Sequence, residues 1–573
     1  MKKRVLLIGG TGQFGRRLAH HLATNPQISL TIAGRNQHKI DALVAQLNSK
    51  TSAADIDGLV LDHHKDLDGT LATLAPWLVV DTSGPFQNAD YYVAKASLEA
   101  GAHIIDIADA RSYLMGYTDA LDALACEKGL CALAGASSTP ALSAAVVADL
   151  TREWQRIDTI DLAITPAGRS AVGRAAIEAA LSYAGHSIPG WEAGGPAEVR
   201  GWADGQSIVM PGLGKRRVAR VETADADYLG NKFQVRSRIA FYAGLESILE
   251  QRGMETLAYC CKNGWIDNLT AFAAPLQAAR QMTRLTTSES GGMLVRIGGI
   301  DKSGTFCRAE WSLLAQNGDG PSVPVLPAAA AISKLLKQPV DPGARIADDC
   351  LSLAEIETEM APYAIATDTK IQCTNEAPFD RALGTATFEQ MPPVLQTLHR
   401  ADSPPVWQGK AHIDRGTSLP ARLGAWLIGL PASGRDVPVT VTLDRDPSGQ
   451  TEKLTRNFSG KRFFSHMQLG PNREVIEGFG LLRFAIGVTA DEEGTKMPVT
   501  QWWFAGIPLP RFLLPRSDTR EFEDAEGRFN FDVRISLPLF GLLVHYRGWL
   551  VPLQSGPVAS TKNIAVHKRT SVN

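Results

Sequence analysis

The 573-residue sequence lacks any run of about 20 uninterrupted apolar residues, the length that a membrane-spanning helix requires. We therefore expect no transmembrane segment. The most apolar late stretch, residues 537–553, contains His545 and Arg547, and it leaves a peripheral membrane contact open. The basic start Lys2-Lys3-Arg4 leads into a glycine-rich loop instead of a signal-peptide cleavage site, so the sequence predicts a cytoplasmic protein.

The sequence also lacks the patterns that mark metal-binding and nucleic-acid-binding proteins. Its seven cysteines include no pair with CxxC spacing, and the pairs His20-His21 and His63-His64 have no third ligand placed beside them, so we expect no metal site. The formal net charge of −2 gives no electrostatic attraction to nucleic acid, and we expect no nucleic-acid partner. A small-molecule substrate is expected instead, and a homodimer is compatible with the sequence.

The clearest motif stands at the N-terminus, where an apolar run is followed by glycines at positions 9, 10, 12 and 15. The run predicts a buried parallel strand, and the residues after the glycines have helical periodicity. A strand, a glycine turn and a helix start are the context of a dinucleotide-binding fingerprint, in which the helix N-terminus holds the phosphates. The predicted cofactor-binding residues of this loop are Gly9, Gly10, Thr11, Gly12, Gln13, Phe14 and Gly15.

Arg35 follows the second predicted strand, residues 29–33, with no acidic residue beside it. In folds that prefer NAD, an acidic residue near this point binds the ribose 2′-hydroxyl, whereas an arginine suits a 2′-phosphate. A guanidinium offers two parallel donors to a phosphate. Arg35 therefore favours NADP over NAD as the cofactor, although a solvated charge at a helix start would also fit the position.

Strands and helices alternate through residue 152, which predicts an α/β domain with a doubly wound parallel sheet of the Rossmann type. Ligands of such sheets bind at the carboxyl ends of the strands. Asp106 and Asp109 lie at such an end and are the candidate catalytic residues, while the backbone of residues 83–86 is placed beside the nicotinamide. Caps and turns use the same residue types, so a structural role for the two carboxylates stays open.

The first 150 residues resemble the saccharopine dehydrogenase/reductase-like family. The resemblance rests on Gly9–Gly15, on Val79–Phe86 and on Ala96–Asp106, although Ile104 or Ile105 stands where many relatives have tyrosine. It implies an NADP-binding domain that contacts the cofactor through the glycines and Arg35, and through a loop of four residues, Ser83, Gly84, Pro85 and Phe86. The family is known for reductases that act on imine-type or carbonyl-type substrates.

Tyr91 and Lys95 have the Tyr-x-x-x-Lys spacing of short-chain dehydrogenases, in which the lysine lowers the pKa of a tyrosine acid. In that family the pair lies later in the chain, after a further strand that carries a serine. The sequence therefore leaves Tyr91 and Lys95 as an alternative proton source.

Residues 153–324 mix short strands with helices, which predicts an α+β domain for substrate binding or dimerisation. We expect strands near 158–165, 207–210, 233–241, 293–298 and 305–314, and helices near 173–183, 245–260 and 269–285. A helix that begins near residue 325 is expected to return to the first domain. The Rossmann domain is thus predicted to comprise residues 1–152 and about 325–365.

Residues 380–555 contain many short strand-like runs with turns between them, which predicts a β-rich domain. Its spaced motifs include Arg462–Ser465, Glu477–Gly480 and Tyr546–Leu550, and they resemble a domain of unknown function that is often fused to saccharopine dehydrogenase-like domains in bacteria. The tail, residues 556–573, lacks periodicity and is predicted to be disordered.

Together these patterns predict an NADP-dependent oxidoreductase of the saccharopine dehydrogenase-like superfamily, which transfers hydride to or from an imine-type or carbonyl-type substrate. The sequence shows no clear acid–base pair beside the fingerprint. The alternative is therefore a non-catalytic NADP-binding sensor or scaffold, whose C-terminal domain binds an apolar ligand or a partner.

Overall fold

In the computed structural model, which describes residues 2–49, 53–87, 89–170, 174–203, 205–446, 448–538 and 540–553, the chain forms two compact units. The first unit comprises residues 1–303 and 307–372, and the second comprises 304–306 and 373–573. The first two predicted domains thus lie in one unit and the third lies in the other. The predicted disordered tail, 556–573, lies outside the described residues. None of the helices within the described ranges has the length and apolarity to cross a bilayer.

The first unit begins with a regular alternation of strands and helices: β1 (Lys3–Ile8), α1 (Gln13–Leu22), β2 (Ile28–Gly34), α2 (Gln37–Asn48), β3 (Asp55–Val60), α3 (Leu67–Leu74), β4 (Leu78–Asp81), α4 (Tyr92–Glu99), β5 (His103–Asp106), α5 (Arg111–Lys128), β6 (Cys131–Ala134) and α6 (Ser143–Leu150). It continues with β7 (Trp154–Thr165), α7 (Arg174–Ser182), β8 (Ser187–Glu192), β9 (Gly195–Arg200), β10 (Gln206–Met210), β11 (Gly214–Arg220), α8 (Asp225–Phe233), β12 (Arg238–Ala243), α9 (Ile248–Lys262), α10 (Ala273–Thr283), β13 (Gly291–Asp301), β14 (Phe306–Ala315), α11 (Leu326–Lys337), β15 (Gly343–Ile346), α12 (Leu353–Met360) and β16 (Ile365–Thr374).

A seven-stranded sheet in the order β15-β6-β5-β4-β1-β2-β3 forms the first domain, and its strands are parallel throughout. The predicted Rossmann-type fold is thereby confirmed. Its central strands are buried on both faces, because helices cover both sides, and this explains their continuous apolar sequence. The chain adds strands β2 and β3 on one side of β1 and strands β4, β5 and β6 on the other. The carboxyl ends of β1 and β4 therefore border the crevice in which such folds bind ligands.

The chain returns to this sheet after the second domain. Helix α11 buries its segment 326–332, and β15 then pairs with β6 at the edge of the sheet. The side chain of Asp122 on α5 fixes this return by accepting a hydrogen bond of 2.9 Å from the backbone N–H of Ala344.

The second domain is built on a mixed sheet in the order β10-β11-β12-β7-β13-β14-β16, to which β8 and β9 attach beside β12. The predicted α+β composition is confirmed. One local prediction was wrong: residues 233–241 do not form one strand, because α8 extends to Phe233 and β12 begins only at Arg238. Helix α8 places Asp225 and Asp227 against the first domain.

The second unit is dominated by one antiparallel sheet of 13 strands, which confirms the β-rich prediction. Its elements are α13 (Pro378–Leu383), α14 (Thr385–Phe388), α15 (Pro393–His399), β17 (Val406–Arg415), α16 (Leu419–Ile428), β18 (Gly434–Arg445), β19 (Thr451–Phe458), β20 (Lys461–Leu469), β21 (Val475–Phe479), β22 (Leu482–Ile486), β23 (Thr489–Asp491), β24 (Gly494–Lys496), β25 (Val499–Phe504), β26 (Ile507–Pro508), β27 (Arg516–Glu523), β28 (Phe529–Leu537) and β29 (Gly541–Pro552). The strand order is β23-β24-β27-β28-β29-β17-β18-β19-β20-β21-β22-β25-β26.

Candidate dinucleotide and substrate site

The glycine loop joins β1 to α1 at the crevice of the parallel sheet. Gly9 has a φ of +74°, and the N–H of Gly12 donates to the Gly9 carbonyl at 2.8 Å, which closes a tight turn. Gly12 is the N-cap of α1, no side chain caps this helix start, and its first turn has no acidic residue. The N-terminus of α1 therefore presents its amides and its positive dipole end, the combination that holds a phosphate.

Two of the glycines are required by close packing inside the loop. A Cβ atom on Gly15 would lie 2.3 Å from the Gly9 carbonyl oxygen and 2.5 Å from Oγ1 of Thr82. A Cβ atom on Gly9 would lie 2.8 Å from Cα of Ser83. Any larger residue would push the loop away from the strand ends, so this backbone cradle has the form that a pyrophosphate group needs.

The remaining predicted contacts of the loop lie at its solvent side. Gln13 and Phe14 are exposed, and Thr11 lies against the end of β2, where a Cβ on Gly34 would be 2.9 Å from its Oγ1. Arg35 is exposed directly after β2. Because β2 is the parallel neighbour of β1, the guanidinium and the glycine loop are at the same edge of the sheet.

His63, after β3, is a residue of this edge whose position the sequence analysis did not find. Burial lowers its pKa first, the neighbouring charge of His64 lowers it further, and so does Arg35, while Asp81 and Asp62 oppose the shift. Arg35 and His63 are therefore close enough to interact. His63 follows the carboxyl end of β3, and that place in the chain is the sequence signal that could have placed it at this edge.

The loop at residues 82–86 follows β4 and packs directly on the glycine loop. The buried Asp81 carboxylate accepts hydrogen bonds from the backbone N–H of Ser83 at 2.8 Å and from its hydroxyl at 2.6 Å. Phe86 is buried beside the ring of Tyr113, with ring centroids 5.4 Å apart. The exposed members of the loop are Gly84 and Pro85, so the backbone of these two residues forms the part open to a ligand.

Asp106, at the end of β5, is fully buried and holds three neighbouring groups. Its Oδ1 accepts from the N–H of Ala108 at 3.0 Å and from the N–H of Gly135 at 2.8 Å, and its Oδ2 accepts from the hydroxyl of Tyr113 at 3.2 Å. Burial raises the pKa of Asp106 to about 7, although these hydrogen bonds oppose the shift. This geometry favours a positioning role for Asp106 over direct contact with a substrate.

Asp109 is differently placed, because its side chain is accessible. Desolvation by the surrounding atoms nevertheless raises the pKa of its carboxyl. Its charge contributes to raising the pKa of Tyr183, which burial raises most and Glu222 raises further. Asp109 of the first domain and Glu222 of the second therefore both lie close enough to Tyr183 to act on its charge.

An ion pair joins the first and second domains in the same region. Arg111, at the start of α5, donates through Nε and Nη2 to the two carboxylate oxygens of Asp227 on α8, at 2.6 and 2.8 Å. Burial raises the pKa of the Glu222 carboxyl, whereas Arg111 opposes the shift. This region combines carboxyls of raised pKa with one paired arginine, an arrangement often found at functional sites.

Asp225, on α8, connects the second domain to the first in the same region. It is fully buried and accepts a short hydrogen bond from the hydroxyl of Ser143 on α6. Burial raises its pKa to about 6, and hydrogen bonds from Ser143 and Thr223 oppose this. The hydrogen bond between Ser143 and Asp225 joins α6 to α8. Glu222, Asp225 and Asp227 lacked a motif in the sequence, since only the fold brings them to the strand ends.

Tyr91 and Lys95 do not form an acid–base pair in this structure. The Tyr91 hydroxyl donates to the backbone carbonyl of Tyr113 at 2.9 Å, and burial raises the pKa of Tyr91, the reverse of what a proton donor needs. Lys95 is exposed and lies 3.9 Å from Glu99. The arrangement of short-chain dehydrogenases is therefore absent at this pair.

The parallel sheet and the glycine cradle define the first domain as a dinucleotide-binding domain. Its residues 5–133 match the family described as the saccharopine dehydrogenase NADP binding domain. Residues 391–550 match a domain of unknown function, DUF4166. The resemblance that the sequence predicted is confirmed for both parts of the chain. The first match also supports a nicotinamide dinucleotide as the cofactor.

Solved structures give more distant likenesses. Apo saccharopine dehydrogenase (L-Glu forming) from Saccharomyces cerevisiae is 14% identical, with 64% of this chain and 99% of that chain covered and a TM-score of 0.46. GenD2 from gentamicin A biosynthesis, solved with NAD, is 14% identical over 43% of this chain and 65% of its own, with a TM-score of 0.25. YwfH, an NADPH-dependent reductase of bacilysin biosynthesis, is 14% identical over 23% of this chain and 76% of its own, with a TM-score of 0.20. A comparison with curated proteins finds no match.

Proposed function

We propose that this protein is an NADP-dependent oxidoreductase that transfers hydride to or from an imine-type or carbonyl-type substrate. The observation that carries the proposal is the glycine cradle, in which the space for a Cβ atom on Gly15 is filled by Gly9 and Thr82. When bound, a nicotinamide cofactor supplies the hydride. The match of residues 5–133 to an NADP-binding family supports the choice of cofactor.

The chain's own residues would divide the remaining tasks. The loop at residues 9–15 and the start of α1 bind the pyrophosphate, and Arg35 with His63 beside it favours a 2′-phosphate. Asp106 fixes the backbone at Ala108 and Gly135 and the side chain of Tyr113. Asp109, whose charge acts on Tyr183 together with that of Glu222, contacts the reacting group, where a carboxyl of raised pKa can donate a proton.

Cofactor choice is tested by titrating the protein with NADPH and NADH while following nucleotide fluorescence. We expect tighter binding of NADPH, and Arg35→Ala should weaken NADPH about tenfold or more while leaving NADH nearly unchanged, because it removes a charged hydrogen bond to phosphate. Arg152→Ala is the matched control, since Arg152 is exposed just beyond the end of α6, where it pairs with Asp149. Equal loss for both nucleotides would argue against the 2′-phosphate assignment.

Turnover is tested by a screen of imines and ketones with NADPH. With an accepted substrate, Asp109→Asn should lower kcat about 100-fold and leave the Kd for NADPH unchanged, because it removes a proton donor without touching the cradle. An unchanged kcat would exclude Asp109 from the chemistry. NADPH binding without turnover of any candidate would instead favour the sensor or scaffold alternative.

A further inference from the structure

The antiparallel sheet of the second unit has two ends that differ in chemical character. The registers of the strand pairs place the connections that follow β17, β19, β21, β25 and β28 at one end, and the segment 509–515 leads from β26 to the start of β27 at the same end. We term this end the apolar rim. The connections that follow β18, β20, β23 and β27 lie at the opposite end. Each end therefore gathers segments that are far apart in the sequence.

All of these segments except the turn after β19, Ser459-Gly460, expose a large apolar side chain at or beside the turn. The exposed residues at or beside the turns are 45% to 73% accessible: Trp426, Leu481, Phe504, Ile507, Phe512 and Phe540. Turns in water normally use small or polar residues. Exposed aromatic and branched side chains on several turns at one end of a sheet form the kind of apolar surface that marks an interaction site.

Helix α16, in the connection after β17, has the reverse of the usual amphipathic pattern. Its small residues Ala421 and Ala425 are fully buried, whereas Leu419, Leu423 and Trp426 are exposed at spacings of four and three residues. Such residues share one face of a helix. The hydroxyl of Ser418 donates to the Phe540 carbonyl at 3.0 Å, which fixes the start of the helix beside the connection after β28.

The charges of the two ends are also different. Exposed cations lie on or within three residues of the connections at the apolar rim: Arg422, Arg435, Lys461, Arg462, Arg483 and Arg511. They exceed the exposed carboxylates of that end, which are Asp414, Asp436 and Asp518. By the same criterion, the opposite end exposes the carboxylates Asp491, Glu492, Glu493 and Glu526 and the cations Arg473 and Lys496, so carboxylates are in excess there.

We propose that the apolar rim is a docking surface for an anionic lipid bilayer. The backbone groups of the hairpins are paired within the sheet, so their tips can insert side chains without exposing unpaired N–H groups to lipid. Tryptophan and phenylalanine suit the boundary between headgroups and acyl chains, and arginines bind the lipid phosphates. The excess of cations at this end, and of carboxylates at the other, selects a negatively charged surface.

The test is co-sedimentation of the full chain with vesicles of phosphatidylcholine alone and with vesicles that also contain phosphatidylglycerol. We expect binding to the anionic vesicles, weakening at high salt, and at least a tenfold loss for the double variant Trp426→Ser/Phe512→Ser. The control is Trp265→Ser/Leu285→Ser, which changes residues of comparable exposure in the first unit, and it should bind as the unchanged protein does. Arg483→Gln should reduce the preference for anionic vesicles.

Far-ultraviolet circular dichroism verifies that the variants are folded, and we expect them to be, since the substituted side chains are exposed. No binding to anionic vesicles, or unchanged binding of the rim variant, would overturn the proposal. Light scattering distinguishes a second copy of the chain as the occupant. A dimer that the rim substitutions convert to a monomer, without any vesicle binding, would also overturn it.

Discussion

At the scale of single residues, Asp106 shows how one buried carboxyl can organise a ligand-binding edge. It joins the segment after β5, the segment after β6 and the Tyr113 side chain through three hydrogen bonds. The aromatic ring that it orients packs in turn on Phe86 of the loop after β4. The Asp106 side chain therefore helps to fix the relative positions of the segments that follow β4, β5 and β6.

The stability of the first unit should depend on pH through Asp106. Its pKa is about 7 in the folded chain against an ordinary 3.8, so the folded state keeps a proton that the unfolded state releases. The resulting contribution to stability is complete below about pH 4 and is lost as the pH rises through about 7. We expect Asp106→Asn, which mimics the protonated form, to gain in free energy of unfolding relative to the unchanged protein as the pH rises from about 5 to about 8.

Urea unfolding at several pH values measures this difference. Asp119→Asn serves as the control, because Asp119 is exposed on the same helix that carries Tyr113. Parallel pH curves for Asp106→Asn and the unchanged protein would contradict the assignment of Asp106 as the titrating group.

The glycine cradle gives a second prediction for single residues. Gly15→Ala should abolish measurable NADPH binding and lower Tm, because its Cβ has backbone and Thr82 atoms within 2.5 Å. Gly253→Ala is the matched control: its Cβ would meet nothing within 4 Å in α9, and the change should stabilise the helix by about 0.5–1 kcal/mol. Retained NADPH affinity in Gly15→Ala would show that the loop can relax and is not a rigid cradle.

At the scale of elements, the sequence predicted best where a local pattern decides the structure. The strand predicted near 305–314 coincides with β14 to within one residue at each end, because a mostly apolar run bounded by turn residues is a local signal. Helix α8 was missed, since it is held by Asp225 and Asp227, whose partners lie 82 and 116 residues away in the chain. The predicted site omitted these two carboxylates for the same reason. It included the glycines, because their spacing within one turn is a local sequence pattern.

Helix α16 offers a prediction about packing. Ala425→Leu should destabilise the second unit by about 1–3 kcal/mol, because the side chain is fully buried against the sheet and has no room to grow. Leu423→Ala, two residues earlier on the exposed face, should change the free energy of unfolding by less than about 0.5 kcal/mol. Thermal unfolding followed by circular dichroism compares the two variants. Equal losses would mean that the helix has a different buried face.

At the scale of the whole molecule, the two units have separate cores and should unfold separately. All predicted cofactor contacts lie in the first unit. NADPH at about 100 times its Kd should therefore stabilise the first unit by about 2.7 kcal/mol and leave the second unchanged. Calorimetry with and without NADPH measures this, and a shift of both transitions would show that the units unfold as one.

The return of the chain at β15 has a consequence for biosynthesis. The glycine loop leaves the ribosome well before β15, the edge strand of its sheet, which is translated only after strands β7 to β14 of the second domain. The nascent chain must therefore hold an incomplete sheet, with the exposed edge of β6 unpaired, while a different domain is being made. During that interval the helices α5 and α6 are the structures available to shield it.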